Sequence, residues 1–81
     1  MTLAQLETQQ LAIIEKVVVN ATQKDLARRL EAMGIVPNKT VKVLRKAWFG
    51  GPLHIRIGST TEVAIRKQEA ELVLVNIKNG E

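Results

Sequence analysis

Leu53-His54-Ile55-Arg56-Ile57 alternates apolar and polar side chains without a break. Successive side chains of a strand point to opposite faces, so this run buries a single face only as a strand. The rest of the chain supplies partners of similar length. Leu11 to Val19 is β-branched and apolar, interrupted by Glu15-Lys16, and reads as a first strand. Thr40 to Trp48 is a second, with Val41 and Val43 on one face and Lys42 on the other. Glu62 to Arg66 is a short fourth strand, and Glu71 to Ile77 closes the set. Met1 to Gln10 is polar, with Leu3 and Leu6 as the anchors of a helical turn.

One helix is expected between the first and second strands, over Asn20 to Gly34. Thr22 followed by Asp25 forms a capping-box pattern, and Ala21 and Leu26 occupy hydrophobic-staple positions. Leu26, Ala27, Leu30 and Met33 fall on one stripe. Gly34 stops the helix in a left-handed conformation. Val36-Pro37-Asn38-Lys39 is a tight turn, because proline presets one central residue and asparagine tolerates positive φ at the next. Phe49-Gly50-Gly51-Pro52 makes a flexible tip, Gly58 to Thr61 a turn, and Lys67-Gln68-Glu69-Ala70 one helical turn. The last four residues form a polar tail expected to fray.

The expected architecture is therefore mainly β: a small five-stranded barrel with one helix between strands 1 and 2. Eighty-one residues make one domain, with its core between about residues 3 and 77. Closure would also hide the strand edges that a flat sheet exposes. With Trp48 and Phe49 as the sole aromatics, the core must be built from Val, Ile, Leu and Ala. No cysteine is present, which removes disulfides, thiolate metal sites and cysteine nucleophiles together and fits a reducing compartment. The N-terminal residues lack a secretory pattern, and no apolar run approaches the ~20 residues of a membrane span. A soluble, cytoplasmic protein that does not insert in a membrane is expected.

The inventory holds little chemistry. His54 is the single histidine, and a lone imidazole makes no zinc or iron site, so it reads as an exposed strand residue. The carboxylates are scattered and none pairs as acid and base; Asp25 serves better as a helix cap. Ser59, Thr60 and Thr61 form a turn without a base beside them. Gly50-Gly51 lacks the lysine-serine end and following helix of a phosphate loop. No catalytic group, cofactor or metal site is expected, and the chain acts by binding.

Two surface features are candidates for that binding. Trp48-Phe49-Gly50-Gly51-Pro52 sets two large aromatics beside two glycines, and exposed tryptophan is a frequent interface hot spot. The alternative for Trp48 is to fold back as a lid on the core. Arg28-Arg29 on the outer helix face can make planar contacts with carboxylate or phosphate, or can be solvated and paired with Asp25. The net charge of +4 serves solubility or an acidic partner. A small basic barrel can also bind RNA, but such barrels offer aromatic platforms beside basic strips, and two aromatics with modest charge rank this reading lower.

Taken in order, these residues resemble the FeoA family. The resemblance starts with MTLAQL and runs through Arg29-Leu30-Glu31-Ala32-Met33-Gly34-Ile35-Val36-Pro37. It continues through Val41 to Ala47, Pro52-Leu53-His54-Ile55-Arg56-Ile57-Gly58, Ala64 to Ala70 and the last valine-rich strand. Asn38 stands where the family usually has glycine, and the tip lacks the aspartate common before the proline. The resemblance implies an SH3-like barrel and a cytosolic accessory role in bacterial ferrous iron uptake. It implies a FeoB-type permease with a cytosolic GTP-binding domain as partner, reached at the inner membrane. Similar domains in DtxR-type metal-dependent repressors imply the alternative of a regulatory interaction module. The partner contacts expected are Arg28, Arg29, Trp48, Phe49, Gly51 and Pro52, with no nucleic acid partner and at most weak self-association.

Overall fold

A computed structural model describes residues 1–78. A 3-10 turn at Leu3–Gln5 precedes β1 (Leu11–Val17). A second 3-10 turn, Ala21–Gln23, leads into helix α1 (Lys24–Ala32). Then follow β2 (Thr40–Lys46), β3 (Leu53–Ile57), β4 (Thr61–Ile65), the single-turn helix α2 (Lys67–Ala70) and β5 (Val73–Ile77). The five strands form one antiparallel sheet in the order β4-β3-β2-β1-β5. This is the expected mainly β architecture of five strands with a helix between the first two.

The period-two reading of Leu53–Ile57 is reproduced residue for residue: Leu53, Ile55 and Ile57 are buried, His54 and Arg56 half-buried. Val41 and Val43 join them from β2, Ala12 and Ile14 from β1, Ile65 from β4, and Val73 and Val75 from β5. Burying one such aliphatic side chain contributes roughly 1.5–3 kcal/mol. Two bulges curl the sheet. The β1–β5 register shifts between Ile14 and Lys16, and the β2–β3 register between Val43 and Arg45. An extra residue bends its strand and increases local twist. At Glu15 it also changes the inward phase, so that Ala12, Ile14 and then Val17 pack on the core. The charged interruption of the first strand is thus a bulge rather than a break.

β4 and β5 are the ends of the sheet, and no ladder joins them among the described residues. Leu3 and Leu6 from the N-terminal segment and Ala70 from α2 are fully buried in the same core. The N-terminal segment is tied in by backbone bonds, Val75 N–H to Met1 O at 2.9 Å and Gln9 N–H to Val43 O at 2.7 Å.

The helix entry differs from expectation. Asn20, not Thr22, caps the 3-10 turn that leads into α1: its Oδ1 accepts the Thr22 N–H at 2.9 Å, and Gln23 Oε1 accepts the Asn20 N–H at 2.9 Å. Thr22 Oγ1 donates to the same Asn20 oxygen at 2.6 Å, which turns its hydroxyl back toward Asn20. Asp25 caps no backbone and lies in the first turn of α1, where a negative charge suits the helix dipole. Of the expected stripe, Leu30 is fully buried while Leu26 and Met33 pack on the core partly buried. Gly34 ends the helix at φ +98°, and Asn38 takes φ 76° in the turn before β2.

Several strand ends also shift. β1 stops at Val17 and β2 at Lys46, two residues before their expected ends; β4 starts one residue earlier, at Thr61. β5 starts at Val73 because Glu71 and Leu72 donate back to Lys67 O and Glu69 O at 3.0 Å, closing α2. Of the tail expected to fray, Lys78 still donates to Leu11 O at 3.0 Å, and residues 79–81 lie outside the described residues.

Candidate partner-binding surface

The β2–β3 connection is a tight hairpin. Lys46 pairs with Leu53 at its base, and Ala47 N–H donates to Pro52 O at 3.0 Å. Gly51 N–H then donates to Trp48 O at 3.2 Å, closing a four-residue turn over Trp48–Gly51. Both central residues have positive φ, 58° at Phe49 and 73° at Gly50. That is the pattern of a type I′ turn, whose twist matches a hairpin. The expected flexible tip is therefore a closed turn. Gly51 is required for a different reason: a Cβ there would lie 2.7 Å from Ala47 Cβ.

This turn decides the alternative left open for Trp48. Its side chain is 86% exposed and that of Phe49 is 102% exposed, so neither lids the core. The rings lie 6.5 Å apart at 45° and offer one apolar surface to solvent. Left-handed geometry costs a bulky side chain roughly 1–2 kcal/mol, and such strain concentrates where a side chain must be displayed.

The arginines of α1 have unequal fates. Arg28 is exposed and reaches Asp25 at 3.5 Å, a surface pair of little energetic weight. Arg29 turns instead onto Glu69 of α2, a contact that sequence reasoning missed. The Glu69 side chain is only 7% exposed, and its other oxygen accepts the Arg66 N–H at 2.9 Å. Arg29 is half-exposed and retains a free flank at a depression lined by Asp25, Leu26, Arg66 and Gln68. Tip and helix thus do not meet in one pocket. They flank α2, whose Lys67 approaches Gly50 on one side while Glu69 holds Arg29 on the other.

His54 is half-buried rather than the exposed strand residue that the sequence suggested. Arg45 Nη2 lies 3.3 Å from its Nδ1, and its Nε2 lies 3.9 Å from Glu62 Oε1. Arg56 donates to Glu62 Oε2 at 2.9 Å, across the directly opposed pair of β3 and β4. The Arg56 hydrogen bond, aided by the positive field of Arg56, His54 and Arg45, holds the Glu62 carboxyl below its ordinary value. Among the described residues no three His, Cys, Asp or Glu side chains gather as a metal site would need. Nor is any described helix long and apolar enough to cross a membrane.

Comparison with known proteins agrees with this architecture. The FeoA domain matches residues 1–77. A FeoA from Stenotrophomonas maltophilia, solved in complex with zinc as a prokaryotic SH3 domain protein, is 34% identical; the match covers 94% of this chain and 89% of that one with a TM-score of 0.80. The FeoA protein from Chlorobium tepidum is 30% identical over 100% of this chain and 73% of that one, with a TM-score of 0.83. A manganese-dependent transcriptional repressor shares the fold alone, at 16% identity and a TM-score of 0.83 over 95% of this chain and 36% of that one. No curated protein sequence matches the chain.

Proposed function

The chain belongs to the FeoA family of non-enzymatic accessory proteins linked to ferrous iron transport, and from that premise we propose that it docks on the cytosolic part of a FeoB-type GTP-binding permease and modulates it. It would act as one domain, at the inner membrane through its partner rather than by inserting itself. The observation that carries this reading is the outward display of Trp48 and Phe49 by a turn that strains Phe49. Such display has no role in the core, and large aromatics in a desolvated centre dominate interface energies. Gly51 and Pro52 fix the shape of the tip, while Arg28 and the free flank of Arg29 extend the contact across α2. Modulation requires only that one state of the permease be bound more tightly than another.

A pull-down of the detergent-solubilised permease by wild type, Phe49→Ala and Arg28→Glu tests the surface. Both side chains are exposed, so neither change disturbs the fold. Reduced retention by both is expected. Wild-type retention by both variants removes tip and helix from the interface.

A further inference from the structure

A groove at the base of the tip carries two lysines. It is lined by Ala4, Lys46, Ala47, Gly50, Gly51, Leu53 and Lys67. It is an open depression of about 280 Å³ with no acidic residue in its lining. Lys46 pairs with Leu53 at the end of β2 and is exposed. Its Nζ donates to Ala4 O at 3.1 Å, which orients the ammonium and leaves further donors unused. Lys67 of α2 joins the lining, with its Cδ 3.8 Å from where a Gly50 Cβ would stand. Among the described residues neither ammonium has a carboxylate partner, whereas Arg28, Arg29 and Arg56 each have one.

We infer that this groove receives a carboxylate side chain from an extended acidic segment of the docked protein, held between Lys46 and Lys67 while Trp48 and Phe49 cover the adjoining apolar residues. The inference rests on the docking reading above and adds the chemistry of the partner's surface. Charge complementarity selects an acidic occupant. Size selects an extended one, because a helix about 10 Å across does not enter. The glycines of the lining carry no side chain that would block approach to the backbone.

The test is calorimetric titration of the full-length permease in detergent with wild type, Lys67→Glu, Lys46→Gln, Phe49→Ala and, as control, Lys39→Glu. Lys39 is exposed in the turn before β2 and lines no part of the groove. Thermal unfolding first establishes that each variant is folded. Lys67→Glu should weaken binding by about tenfold or more and Lys46→Gln by several-fold, with Lys39→Glu near wild type. The effect should shrink as salt rises. Wild-type affinity for both groove variants with loss in Phe49→Ala overturns the groove assignment and leaves docking by the tip intact. Wild-type affinity for all three removes the docking surface as well. Loss that occurs only in phosphatidylglycerol nanodiscs and not in detergent assigns the lysines to lipid headgroups, and overturns the inference too.

Discussion

Arg29 of α1 and Glu69 of α2 are joined by an ion pair, and the same carboxylate caps α2 through the Arg66 N–H at 2.9 Å. The carboxylate is buried and the guanidinium half-exposed, so the pair is screened from one side only. It is the contact through which the α1 helix and the α2 turn hold one another. A buried carboxylate stripped of its partner costs far more than a surface pair gains.

Removing that link should therefore destabilise the domain. Arg29→Ala leaves Glu69 buried with only the Arg66 N–H, and Glu69→Ala loses both contacts. Each should cost about 1–3 kcal/mol in urea unfolding. For a domain of this size each kcal/mol is about 4–8 °C in Tm. Arg28→Ala, one residue away but at the surface, should change stability by under about 0.5 kcal/mol.

The tip offers a trade between stability and binding. Asparagine accepts left-handed geometry and, ahead of glycine, is the preferred first residue of a type I′ turn. Phe49→Asn should raise stability by about 0.5–1 kcal/mol, since the native side chain is fully exposed and loses no burial. The same variant should bind the permease less well. A higher melting temperature with weaker retention is the expected pair of results.

Gly51→Ala should act in the opposite sense. Its new methyl would meet Ala47 Cβ at 2.7 Å, and neither atom is the end of a flexible side chain. The turn must open, at about 1–3 kcal/mol. Loss of the Ala47–Pro52 backbone bond, read as faster amide exchange at Ala47, would mark it.

Acid stability should depend on Glu62. Its carboxyl titrates below the ordinary 4.5 in the folded chain because Arg56 donates to it. The unfolded chain therefore takes up this proton first as pH falls. The stabilisation is complete above the ordinary value and is lost as pH drops through the lowered one. Between about pH 5 and pH 3 the melting temperature of wild type should fall more steeply than that of Glu62→Gln.

How far these features could be read from the sequence depends on how local their causes are. β3 was legible to the residue, because period two leaves no choice of face. The turn at Pro37-Asn38 and the stop at Gly34 were legible because each rests on the φ preference of one residue. The helix cap was misplaced because two patterns overlap: Asn20 with Gln23, and Thr22 with Asp25. The structure forms the first, and the Thr22 hydroxyl turns back to donate to Asn20. Arg56 facing Glu62 was within reach of a count across the Gly58–Thr60 turn, yet His54 with Arg45 needed the bulge at Leu44. The partnership of Arg29 with Glu69 joins segments forty residues apart and has no local signature. Of the candidate surface, the aromatic tip was visible as composition, while the lysine-walled groove appears only once α2 lies beside the hairpin.

The lone indole of this chain also makes a reporter. Trp48 stands almost wholly in water in the folded state, as it would in the unfolded one. Its fluorescence should thus be nearly blind to denaturation, which must be followed by circular dichroism instead. Any blue shift on mixing with another molecule would then register capture of the hairpin apex directly, without a label.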